Sequence, residues 1–159
     1  RSAIDDYTHS LSYRRDPETF CLRGWAYLIL NSTELALADF EDAVRLDPSS
    51  ANALLGRANC RARIGLTKEA VADAEAGLKF AGDDPRHLYN AARVYAQAIP
   101  PNRKTGPQFK GAETLQYAGW ERKAVELLRQ ARERSPEAVR GNFLSDFVQP
   151  LVGSSRSQG

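Results

Sequence analysis

The sequence predicts an all-α fold, a right-handed superhelical solenoid of antiparallel helix hairpins. Three observations predict it. The stretch from Pro17 to Ser50 divides into two amphipathic helices, with Phe20, Gly24, Tyr27 and Leu28 on one face of the first and Leu35, Ala36, Phe40, Ala43 and Leu46 on one face of the second. The same alternation of small and large residues returns at a period of 34 residues. Turn clusters rich in Asp, Ser, Gly and Pro separate the copies.

In the first copy, residues 17–50, Asp16 and Pro17 read as an N-cap followed by a proline at the first helical position, where its missing N–H costs nothing. Asn31, three residues before Glu34, reads as a loose capping box that ends one helix and opens the next. Gly24 and Ala43 are small where their neighbours are large, so the helices can approach while Phe20, Tyr27 and Phe40 fill the seam.

The second copy, residues 51–84, places Leu54, Ala58, Ala70, Ala74 and Gly77 where the first has Phe20, Gly24, Ala36, Phe40 and Ala43. Gly65 closes its first helix and Thr67 is the expected N-cap of its second. A third copy, residues 85–136, begins with Leu88, Ala92 and Tyr95 and resumes with Ala124, Leu128, Ala131 and Pro136. Between its halves lies an insertion of 20 residues, about 99–118, because a helix cannot continue through Pro100 and Pro101. Phe109 is the insertion's best contact residue. The helical pattern returns by Ala112 and runs through Arg134, with Trp120 near its start.

Ahead of the copies, Ala3, Tyr7 and Ser10 have the spacing of a second helix, so residues 1–16 read as a half repeat and the chain as a fragment of a longer protein. Behind them, Ala138, Val139, Phe143, Leu144 and Phe147 predict a closing helix over 137–148, and 151–159 reads as a flexible tail. One domain over 1–150 is the expected organisation, in keeping with 159 residues.

Charged residues repeat as well. Arg23 with Asp39, and Arg57 with Asp73, occupy matching places on faces that otherwise look inward, and in the third copy both partners turn apolar together as Ala91 and Leu127. Charge and counter-charge that appear and vanish as a unit describe a partly buried ion pair, since one partner alone would leave an unpaired charge at a cost of about 3 to 5 kcal/mol. These four residues are therefore read as hairpin supports rather than catalysts. Asp6 stands in the equivalent place of the half repeat, without its arginine.

With this period and pattern the chain resembles the tetratricopeptide repeat (TPR) family over roughly residues 3–136. The resemblance implies a concave groove, lined by the first helix of each copy, that takes an extended peptide or a partner helix. Its lining would be Leu22 and Trp25 with Cys21, then Leu55, Asn59 and Arg63, then Arg86, Tyr89, Asn90 and Arg93, apolar at one end and basic at the other. Arginines grip carboxylates bidentately and Trp25 and Tyr89 are large rigid contacts, which favours a protein or peptide ligand with acidic groups. Asn59 and Asn90 match asparagines of the carboxylate-clamp subclass, but Leu55 stands where that clamp needs lysine. The run Leu88 to Ala96, the run Lys123 to Leu128 and the segment Asp146 to Leu151 look like the C-terminal repeat region of large bacterial multidomain proteins such as serine/threonine protein kinases. That likeness offers an alternative role, a regulatory or self-associating domain of a signalling enzyme.

Other function classes find little support. Gly106 to Gly111 has the outline of a phosphate-binding loop, but Ala112 and Glu113 stand where lysine and serine or threonine are needed, and no strand precedes it. His9 and His87 each stand alone, so neither catalysis nor a metal or other cofactor is expected. Cys21 and Cys60 read as free thiols. A net charge of +2 gives no dense basic patch for nucleic acid, and no apolar run reaches the ~18 residues of a membrane span. A cytoplasmic protein is expected. Ile4, Tyr7 and Leu11 on the half repeat could also pair two copies into a homo-oligomer.

Overall fold

The computed structural model describes residues 2–102 and 111–136. These residues form α1 (Ala3–Tyr13), α2 (Pro17–Ile29), α3 (Thr33–Leu46), α4 (Ala51–Arg63), α5 (Thr67–Leu78), α6 (Pro85–Gln97) and α7 (Ala112–Arg134), with no strand among them. The expected closing helix over 137–148, the tail over 151–159, Phe109 and all but the last residue of the Gly106 to Gly111 loop lie outside the described residues. Part of the stretch counted as inserted, 99–118, is regular structure, because α7 already begins at Ala112.

The chain packs as two compact units, Arg1–Gly82 and Asp83–Gly159. In the first unit, α2 packs on α3, α4 on α5, α3 on α4, and the first helices α2 and α4 touch each other. Leu55 stands against Gly77 while Arg57 and Arg61 meet Asp73, so α4 and α5 run antiparallel. The core of this unit holds Phe20, Cys21, Leu28, Ala36, Phe40, Ala43, Ala53 and Cys60, with Leu11, Trp25 and Tyr27 packed at its margin. In the second unit, Leu88, Ala91, Ala92 and Tyr95 of α6 and Ala124, Leu127 and Ala131 of α7 are buried. Asp83, just before α6, meets Arg134 at the end of α7 at 3.4 Å, so this pair is antiparallel too.

Phe40 explains how one hairpin seats on the next. Its ring is fully buried, and a Cβ on Gly24 of α2 would come within 2.9 Å of ring carbon Cζ. On the other side a Cβ on Gly56 of α4 would overlap Cδ1, Cε1 and Cζ outright. The repeat pattern matches Gly24 with Ala58, but the residue that admits Phe40 in the second hairpin is Gly56.

Most helix starts follow the sequence reading. Asp16 accepts the Thr19 N–H at 2.8 Å with Pro17 behind it, and these bonds hold its carboxyl below the usual range. Ser50 accepts from Ala53, and Asp84 accepts from Arg86 ahead of α6. Two expected caps are corrected. Asn31 does not cap α3, and Thr67 is the first residue of α5 rather than its cap. Both hairpins instead turn through a left-handed residue at the same place of the repeat, Asn31 at φ 57° and Gly65 at φ 84°, alike in backbone though not in side chain. In each turn the residue after it donates back to the third-last carbonyl of the helix, Ser32 to Tyr27 and Leu66 to Arg61, both at 2.9 Å. This Schellman closure satisfies orphan carbonyls at the end of the first helix; at the start of the second helix neither Ser32 of α3 nor Leu66 of α5 makes a side-chain cap hydrogen bond.

The two ion pairs form as the sequence predicts. Arg23 donates to Asp39 through Nε at 2.9 Å and Nη2 at 2.7 Å, and Arg57 donates to Asp73 at 2.8 and 2.7 Å. These hydrogen bonds hold both guanidinium groups above their ordinary pKa. Arg61 adds a second bond to Asp73, at 2.8 Å. In the second unit the matching Ala91 and Leu127 are both buried.

Candidate functional site

In the first unit the groove candidates lie on α2 and α4. Leu22 is exposed, whereas Trp25 is half-buried with its ring edge-on to Phe40 at 5.1 Å. The Trp25 indole Nε1 donates to Asn52 Oδ1 at 2.7 Å, which fixes the indole plane. Asn52 was not singled out by periodicity; a polar residue one helical turn before Gly56 carries no sequence mark of an indole partner on another helix. Arg63 is exposed, and its Nη1 donates to the Leu28 carbonyl at 3.1 Å. That carbonyl sits in the last turn of α2, where the helix dipole favours a cation.

The other three residues named for this part of the groove, Leu55, Asn59 and Cys21, lie inside the packing. Leu55 and Asn59 are both completely buried, as is Cys21 to 1% exposure, so no ligand reaches them from solvent in this structure. Leu55 is turned toward α5, where a Cβ on Gly77 would lie 2.9 Å from its Cγ. Asn59 turns back on its own helix, with Nδ2 donating to the Leu55 carbonyl at 2.8 Å. This repeat position faces inward in both copies, since Cys21, the match of Leu55, is buried as well.

In the second unit the candidates share α6. Arg86, Tyr89, Asn90 and Arg93 recur at i, i+3, i+4 and i+7, which places them on one stripe. The buried Leu88, Ala91, Ala92 and Tyr95 repeat the same spacing two residues later, on the opposite side of the helix. Arg86 is exposed and forks onto Asp84, with Nη2 to Oδ2 at 2.8 Å, which raises the Arg86 pKa and lowers that of Asp84. The Arg93 guanidinium lies 5.9 Å from the centroid of the Tyr89 ring. Burial pushes the Tyr89 phenol up. The stripe therefore offers two guanidinium groups and one rigid ring on a single helix face.

Among the described residues no group of three or more His, Cys, Asp or Glu side chains is placed to hold a metal ion. No described helix is long and apolar enough to cross a membrane.

Antiparallel helix pairs, with a ring seated into glycines in the first unit and two hairpins closed by a left-handed turn, define an all-α helical-repeat fold. The sequence model of the tetratricopeptide repeat matches residues 17–50, the hairpin of α2 and α3. Two solved structures share the fold. One is YrrB, a TPR protein with an unusual peptide-binding site, 21% identical with a TM-score of 0.54 over 89% of this chain and 63% of that one. The other is MamA, 19% identical with a TM-score of 0.50 over 82% of this chain and 85% of that one. The chain thus spans less than two thirds of the YrrB structure. Among curated proteins, none matches the sequence. The repeat and the fold support a protein-interaction module.

Proposed function

We propose that this chain is a non-catalytic module that binds an extended peptide or a partner helix carrying acidic groups. The observation that carries the reading is the α6 stripe, where Arg86 and Arg93 flank Tyr89 and Asn90 on the face opposite the buried residues of the helix. Guanidinium groups recognise carboxylates through paired hydrogen bonds, and an aromatic ring gives a large contact with little conformational entropy to lose. In the first unit, taken by itself, Leu22, Trp25 and Arg63 keep accessible surface on α2 and α4. Leu55 and Asn59 drop out of the binding set and support the scaffold. Peptide binding by YrrB, on the same fold, is in keeping with this reading.

The test is an array of acidic and neutral peptides probed with the whole chain and with Arg86→Ala, Arg93→Ala and Trp25→Ala. Binding concentrated on acidic peptides and weakened several-fold by either arginine change supports the proposal. Binding that ignores peptide charge, or that survives all three substitutions unchanged, removes it.

A further inference from the structure

We infer that Asp84 is a built-in competitor for the ligand of the α6 stripe: its carboxylate occupies Arg86 in the free chain and has to be displaced before an acidic group of a peptide can bind there. Given that the stripe is a peptide-binding face, the reading on which this rests, Asp84 sets how much affinity Arg86 can contribute. The Arg86 side chain is 81% exposed, yet its guanidinium is engaged. Nη2 donates to Oδ2 of Asp84 at 2.8 Å, and Nε stands 3.2 Å from both Oδ1 and Oδ2. This grip on two oxygens is the geometry by which a guanidinium recognises a carboxylate from outside.

The start of the helix holds this competitor in place. Asp84 is the N-cap of α6 with Pro85 behind it, and its Oδ1 also accepts the Arg86 backbone N–H at 2.8 Å, so the carboxylate is fixed before any ligand arrives. Arg86 reaches it by choosing a side-chain rotamer, whereas a ligand has to bring its carboxylate from solution. Capping by itself does not call for this arrangement. At the matching place of α4 the cap is Ser50, which accepts from Ala53 without a charge, and Asn52 stands two residues on. At the matching place of α2 the cap is Asp16, but Glu18 stands two residues on and the carboxylate serves Thr19 instead. Of the first helices α2, α4 and α6, only α6 sets a capping carboxylate beside an arginine at the second helical position. Exposed pairs of this kind hold weakly, so the competitor lowers ligand affinity by about two- to sixfold rather than closing the site.

The test is a titration of a rhodamine-labelled peptide of alternating glutamate and serine, followed by anisotropy at one fixed ionic strength, against the whole chain and against Asp84→Asn, in which asparagine still caps the helix. Asp84→Asn is expected to tighten binding by that factor, and Asp84→Ser, which copies the cap of α4, to do the same. The gain should vanish in an Arg86→Ala background and for a peptide with glutamine in place of glutamate. Asp83→Asn is the control for net charge: it removes the same charge from a side chain 93% exposed beside Asp84 that bridges Arg134 rather than Arg86, and screening should hold its effect below about 1.5-fold. Binding that depends on Arg86 but is equal or weaker in both Asp84 variants overturns the inference and leaves the peptide-binding reading standing. A gain shared by Asp83→Asn, by the Arg86→Ala background or by the glutamine peptide overturns it as well, since each would report something other than a released guanidinium. Absence of saturable binding by the chain and by both Asp84 variants, or binding that Arg86→Ala leaves unchanged, overturns the inference together with the reading beneath it.

Discussion

Replacing Gly56 by alanine sets two effects of opposite sign against each other, and the structure decides which one wins. In the interior of an exposed helix the change gains about 1 kcal/mol, because alanine loses less backbone freedom on folding than glycine. Gly56 is buried in α4, and the new carbon would overlap three atoms of the Phe40 ring. The ring has nowhere to go: it is fully buried, it lies so close to Gly24 on the other side that a Cβ there would come within 2.9 Å of it, and the Trp25 ring packs edge-on with its centroid 5.1 Å away. Overpacking of this kind costs about 1 to 3 kcal/mol, and a rigid ring held on three sides puts it at the upper end. The net expectation is a loss of about 2 kcal/mol, or roughly 1 M in the urea midpoint at a slope near 2 kcal/mol/M. Urea unfolding followed by tryptophan fluorescence reads this directly in a Trp120→Phe background, which leaves Trp25, beside the Phe40 ring, as the sole reporter of the two tryptophans. Gly119→Ala is the control: it lies inside α7 with nothing within 4 Å of the added carbon, so it should gain up to about 1 kcal/mol, read by helical circular dichroism. A Gly56→Ala midpoint equal to or above that of the unmodified chain would refute the claim that ring-into-glycine contact seats the second hairpin on the first.

Asp39→Leu should cost about 3 kcal/mol by stranding Arg23 between helices, while Arg23→Ala with Asp39→Leu, which copies Ala91 and Leu127, should recover most of it; additive losses in the double-mutant cycle would rule out a coupled pair. Burial pushes the thiols of Cys21 and Cys60 up to about 12 from an ordinary value of 9.0. The folded chain therefore keeps two protons that the unfolded chain releases above about pH 9, so this stabilisation is intact below pH 9 and fades as pH rises toward 12. Urea midpoints should fall across that window, less steeply in Cys21→Ala with Cys60→Ala, and disulfide-exchange reagents at pH 8 should label the thiols only as fast as the chain opens. Leu55→Ala should lower stability by about 2 to 5 kcal/mol, since the side chain is fully buried against α5; an unchanged urea midpoint with weakened peptide binding would return it to the binding face.

The hairpins were legible because their determinants are local and periodic. Spacing of Phe20, Gly24, Ala36 and Phe40 marks the faces, Asp16 with Pro17 marks a helix start, and the joint loss of arginine and aspartate at Ala91 and Leu127 marks a pair without any coordinates. The left-handed turns are harder to see: Asn31 and Thr67 have the composition of N-caps, yet Asn31 takes the left-handed position that closes α2 and Thr67 is already the first residue of α5. The α6 stripe could be named from sequence because a single helix holds all four residues. The first-unit candidates are less legible, because Leu55 packs against Gly77 of α5 and the Trp25 indole is held by Asn52 of α4, both on other elements.

Sequence alone determined that this chain makes amphipathic helices in pairs, where they begin and which charges travel together, because each of these follows from residues within a few turns of one another. Tertiary structure alone decided which helix faces stay open. How closely two helices approach depends on contacts such as those of Gly56 with Phe40 and Gly77 with Leu55, made across an interface between residues far apart in the chain.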